Sequence, residues 1–167
     1  MWIAATNTEF SVYSGAVSSL QYQYAATKGS ILRQPEPIST CMPITYTIDK
    51  QRRFILRIIS GAATADEILA SLTEILKHPD YQPGMKSLTD LRAIQHYASP
   101  DEVRQIANFI HGREDEVRGG KAAIVVAQDV SFGMARMLEM LTESSLLSIG
   151  VFKNLKEAYE WLGIEAD

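Results

Sequence analysis

From position 42 onward the chain alternates between two hydrophobic rhythms. Ile44 to Asp49 sets Ile44, Tyr46 and Ile48 against threonines, the period of a half-buried strand. Lys50-Gln51-Arg52 makes a tight turn. Arg53 to Ser60 follows as a second strand with Phe54, Leu56 and Ile58 on one face, so the pair predicts an antiparallel hairpin. Gly61 breaks that strand, and Thr64-Ala65-Asp66-Glu67 has the form of a capping box in which hydroxyl and carboxylate each satisfy a backbone amide. The helix it opens carries Ile68, Leu69, Leu72, Ile75 and Leu76 on one stripe and stops at His78, which Pro79 holds out of helical geometry. Met85 to Leu91 reads as a third strand. Ser99 caps a second helix with Pro100 at its first position and Val103, Ile106, Ala107 and Ile110 facing inward.

Gly119-Gly120 turns the chain into Lys121 to Ala127. The run from Ala122 to Ala127 is apolar on both faces, as a central parallel strand requires. Asp129 or Ser131 is expected to cap a third helix that ends near Glu143. Leu146 to Phe152 forms a fifth strand, and Asn154-Leu155-Lys156-Glu157 resembles a capping box for a last helix with Leu155, Ala158, Trp161 and Leu162 inward. The order ββαβαβαβα predicts an α/β domain: a five-stranded, mostly parallel sheet with an N-terminal antiparallel hairpin and four helices. Phe54, Leu69, Leu72, Ile106, Ile110 and Trp161 are large enough to fill the space beneath that sheet.

Residues 1–41 differ in character. They carry only four charged side chains, Glu9, Lys28, Arg33 and Glu36, and show neither period. They are expected to be a poorly ordered tail, or an extension upstream of a start at Met42, with residues 42–167 forming the domain. The alternative is an arm that packs on the domain or on a neighbouring subunit through Trp2, Phe10, Tyr13 and Tyr22. The stretch lacks the basic and apolar regions of a secretory signal. The residues before Cys41 do not suit a lipidation site.

The 167-residue chain is 46% hydrophobic and 22% charged with a net charge of −4, the make-up of a globular protein without a basic surface for nucleic acid. No apolar run reaches the roughly 18 residues of a membrane span, and one cysteine excludes an intrachain disulfide and a multi-cysteine metal site. A cytoplasmic location is the default expectation.

The order of these segments resembles the STAS fold of bacterial anti-sigma-factor antagonists and, more closely, the SpoIIAA-like group. The resemblance spans roughly Met42 to Gly163. It rests on Ile44 to Asp49, on Thr89-Asp90-Leu91-Arg92, on Phe132 to Met137, and on Val151-Phe152 with Ala158 to Leu162. It implies a non-enzymatic regulatory or protein-interaction module. Comparison of the group with CRAL-TRIO lipid carriers implies an alternative, a carrier or sensor of a small apolar ligand. Ser99 stands where true antagonists carry a phosphorylated serine. Here Pro100-Asp101-Glu102 follows in place of a small pair, and the two carboxylates oppose a phosphate, so the pattern favours a helix cap over a phosphorylation site.

Candidate chemistry gathers at the carboxyl ends of the strands, where open parallel sheets collect ligands. Arg92, His96, Ser99, Gln128, Ser131 and Phe132 supply that rim, with Lys153 after the fifth strand; Arg92 and nearby helix N-termini could take an anion, or could simply be solvated loop groups. No nucleophile elbow, phosphate loop, dinucleotide fingerprint or zinc-protease motif occurs, and His78, His96 and His111 lie in unrelated segments. No catalytic residue, cofactor or metal is therefore expected. On the third helix Met134, Met137, Leu138, Met140 and Leu141 span too much of the circumference to face one sheet. Met134, Met137, Met140 and Leu141 are candidate contacts for a protein partner or a second copy in a homodimer.

Overall fold

The computed structural model describes residues 43–165, so the expected N-terminal tail and Cys41 lie outside the described residues. Strands β1 (Ile44–Asp49) and β2 (Phe54–Gly61) pair antiparallel, with Tyr46 opposite Arg57 and Ile48 opposite Ile55. The Asp49 carboxylate accepts the Arg52 amide at 2.8 Å and closes the turn between them. β3 (Lys86–Ile94), β4 (Lys121–Val125) and β5 (Ser148–Phe152) add in parallel, giving the sheet order β1-β2-β3-β4-β5.

Local chemistry places the helices where the caps predict. In α1 (Ala65–Lys77) the Glu67 amide donates to the Thr64 hydroxyl at 3.3 Å and the Thr64 amide to the Glu67 carboxylate at 2.8 Å. Ser99 and Glu102 repeat the arrangement at α2 (Pro100–His111), with 3.3 and 2.7 Å. Asn154 accepts the Glu157 amide at 2.8 Å to open α5 (Leu155–Leu162). In α4 (Asp129–Leu141) the cap position is Gln128, without a side-chain hydrogen bond. Neither Asp129 nor Ser131 therefore caps it; Asp129 instead pairs with Lys153. A fifth helix, the single turn α3 (Glu114–Val117), was not expected. It buries no residue, so it leaves no periodic signal. β3 also runs to Ile94, past the expected end at Leu91. A register shift lets Ile58 pair with Asp90 while Ser60 pairs with Ala93.

Each step from β2 to β5 moves the chain one place across the sheet, and α1, α2 and α4 all fall on one face. α5 covers the other. On the α5 face Phe54, Leu88, Ala123, Val125, Ala158 and Leu162 form a closed cluster, with the Phe152 and Trp161 rings 5.6 Å apart at its edge. Gly150 is required there, because a Cβ would stand 2.9 Å from the Phe152 ring and 3.2 Å from the Trp161 ring. The three-helix face is not filled in this way. Two of the expected fillers, Phe54 and Trp161, pack on the α5 side, while Leu72, Ile106 and Ile110 border open space. The expectation of a filled core is corrected accordingly.

Candidate functional site

The pairing register aligns Tyr46, Arg57, Thr89, Ile124 and Val151 in one row across all five strands. Side chains in such a row point to the same face. Ile124 and Val151 belong to the cluster beneath α2 and α4, so the row faces the three helices. Arg57 is therefore a strand residue directed toward the apolar layer beneath the helices, where its side chain is half-buried. Its guanidinium donates to the Thr89 hydroxyl at 3.1 Å and, more weakly, to the Ser71 hydroxyl of α1 at 3.4 Å. Ser71 in turn donates to the Ile68 carbonyl at 2.7 Å.

No carboxylate pairs with Arg57 among the described residues, although the other arginine pairs of the domain are ordinary surface bridges. Burial pushes the guanidinium down from its usual value to about 10.

Arg57 separates two cavities. The first, ≈ 110 Å³, lies under α1 and α2 and is walled by Ile55, Leu72, Ile75, Met85, Ile106, Ile110 and Leu138 with Ser87 and Thr89. The second, ≈ 100 Å³, lies toward the carboxyl ends of the strands and is walled by Ile59, Ile68, Leu91, Val103, Met134, Ala135 and Leu138 with His96 and Ser131. Arg57, Thr89, Ile106, Ile124 and Leu138 border both. The walls are mainly aliphatic; the polar side chains are Arg57, Ser87 and Thr89 on the β2 and β3 floor, with Tyr81 at the first cavity and His96 and Ser131 at the second.

The six rim residues go to different places. His96 and Ser131 border the second cavity, and His96 Nε2 lies 3.1 Å from Glu102 Oε1. Ser99 is engaged in its capping box, where its amide and hydroxyl, with His96, hold the Glu102 carboxyl down at about 2. Arg92 grips Asp90 through Nε and Nη2 at 3.0 and 2.8 Å, and that hydrogen bonding keeps Asp90 below the usual carboxylate range despite its partial burial. Gln128 is exposed before α4, and Phe132 packs on the inner cluster with Lys153 5.4 Å above its ring. The four candidate contacts of α4 also divide. Met134 and Met137 pack inward, whereas Met140 is 71% exposed and Leu141 lies outside with it.

Sequence reasoning passed over Arg57. With Phe54, Leu56 and Ile58 grouped on one face, Arg57 falls on the other, to which the sequence pattern assigns no role. A lone arginine inside the run Phe54-Ile55-Leu56-Arg57-Ile58-Ile59 was the available signal.

Among the described residues no group of three or more His, Cys, Asp or Glu side chains could hold a metal ion, and no helix is long and apolar enough to cross a membrane. No family model and no curated protein matches the chain. It is similar to the crystal structure of an uncharacterised protein of the DUF3478 family from Shewanella loihica PV-4. The match has 15% identity and a TM-score of 0.48 and covers 71% of this chain and 93% of that one. That protein is described as having a SpoIIAA-like fold, the fold that the sequence pattern here resembles.

Proposed function

We propose that the protein is a non-enzymatic binding module that takes a small, largely apolar molecule between its sheet and helices α1, α2 and α4. The observation that carries this reading is the pair of cavities on either side of Arg57, in a layer where a filled core was expected. Their size suits a short chain or a single ring rather than a long lipid; interiors otherwise pack with few voids larger than a water. The test is uptake of toluene by the purified protein, followed by a rise in melting temperature and by native mass spectrometry of protein isolated gently from its source. A saturable rise, or extra mass that leaves on denaturation, supports the reading. An unmoved melting curve together with a bare mass rejects it.

A second reading, an interaction module, draws on the apolar side chains that α4 and the following loop leave outside: Val130 at 58% exposed, Met140 at 71%, and Leu141 and Leu146 at 39% each. Met140→Glu tests self-association through this face. A dimer that dissociates in the variant supports it, and an unchanged mass in solution dismisses it.

A further inference from the structure

We infer that the internal site selects a small monocarboxylate, with the carboxylate on the Arg57 guanidinium and a compact hydrocarbon body in a flanking cavity. This rests on the ligand-binding reading above and goes beyond it by assigning the head group.

A guanidinium carries five N–H groups in a rigid fork. Among the described residues its partners are two neutral hydroxyls, on Ser71 and Thr89, the first at the long distance of 3.4 Å. The remaining donors face the cavities that Arg57 borders and the solvent that a half-buried residue still meets. A partly desolvated charge is best tolerated when it is paired, and the described residues supply no acid to pair this half-buried guanidinium. A ligand carboxylate would complete the pair with two parallel hydrogen bonds. The burial that lowers the affinity of Arg57 for its own proton would also strengthen that contact.

The number of charges narrows the class. Arg57 is the one arginine or lysine bordering either cavity among the described residues, so a dianion such as a phosphate monoester would bring a second charge without a partner. The walls narrow it further. Ile55, Leu72, Ile106, Ile110 and Leu138 offer no hydrogen bonds through their side chains, and the Tyr81 hydroxyl at the first cavity already donates to the Glu116 carbonyl, so the body of the ligand is mainly hydrocarbon. At ≈ 110 and ≈ 100 Å³ the cavities suit an aryl or short branched chain.

The experiment compares phenylacetate with its neutral isostere phenylacetamide, and toluene as the bare body, by calorimetric titration of the full chain at neutral pH. Phenylacetate is expected to bind about tenfold or more tightly than the amide, because charge-assisted hydrogen bonds exceed neutral ones. Arg57→Met should bring that ratio to one or below while toluene uptake persists, with circular dichroism confirming that the variant is folded. The acid-to-amide ratio of the natural chain stands without the variant. Equal binding of acid and amide, with toluene still taken up, overturns the head-group assignment and leaves the cavity reading intact. Binding of none of the three overturns both.

Discussion

Replacing Arg57 by methionine should stabilise the empty protein, contrary to the usual outcome for a buried residue with two hydrogen bonds. Burial lowers the guanidinium well below its usual value, to about 10. At 1.36 kcal/mol per pH unit, discounted because the side chain is only half-buried, holding it charged at neutral pH costs about 2–3 kcal/mol. Methionine is unbranched, fills irregular space and carries no charge. Against the gain stands Thr89, which loses its guanidinium donor, at about 1 kcal/mol; Ser71 retains its bond to the Ile68 carbonyl. The net expectation is a gain of about 1–2 kcal/mol, roughly 3–10 °C in melting temperature for a domain of this size. Urea unfolding at pH 7 followed by circular dichroism measures it. The pH dependence gives an internal check. A folded-state value below the unfolded one means that the unfolded chain binds more protons from about 10 up to the usual guanidinium range, so the natural protein gains stability as pH rises through that window. The methionine variant lacks this gain, and its advantage should shrink from pH 9 to pH 11. A variant that loses more than about 1 kcal/mol at pH 7, or an advantage that does not shrink, would refute the reasoning.

Three further outcomes follow from the same geometry. His111 receives its strongest support from the Leu141 carbonyl, then from Glu114, and both raise its value; its contribution is complete below the unfolded value and is lost as pH rises through the folded one. His111→Asn should therefore be less stable than the natural chain at pH 5.5, and the difference should fade by pH 8 in paired thermal melts. Glu102, held at about 2 by Ser99 and His96, works in the opposite sense: Glu102→Ala should cost about 1 kcal/mol at pH 7 after allowance for solvent screening. That loss should disappear as acid urea titrations pass from above the usual glutamate range down through about 2. Ala122→Leu projects a branched side chain into the first cavity; it should stabilise the empty protein by about 1 kcal/mol and abolish toluene uptake there, both read by melting with and without toluene.

The elements that announce themselves through local chemistry were legible in the chain. Thr64 with Glu67, and Ser99 with Pro100 and Glu102, are caps whose atoms bond only to near neighbours in sequence, so no tertiary knowledge is needed to read them. The hairpin and the apolar run of β4 were legible for the same reason. What escaped was the assignment of sides. β2 carries apolar side chains on both faces around Arg57, so there is no alternation to say which positions meet which layer. That choice is made by the strand order, which carries three successive crossovers over one face and leaves α5 alone on the other. Ser71 illustrates the point. It is buried on α1 one turn after Ile68 and one before Ile75, a position that reads as a flaw in an apolar stripe until the guanidinium opposite is known.

The two faces of the sheet make the case for a ligand more strongly than either cavity alone. The α5 face shows that this chain can close a layer: Phe54, Leu88, Val125, Leu162 and Trp161 pack against a sheet surface where Gly150 has given up its side chain to admit them. The opposite face has three helices to do the same work, yet it combines a charge that has no acid partner among the described residues with missing volume, and both lie on Arg57. Each is destabilising, and each is easily removed by a single substitution, methionine for the charge and leucine for the volume. A ligand that brings hydrocarbon and a carboxylate together answers both at one place. A purely structural role for Arg57 would account for the hydroxyl bonds to Ser71 and Thr89, but it leaves unexplained why the space beside them is open.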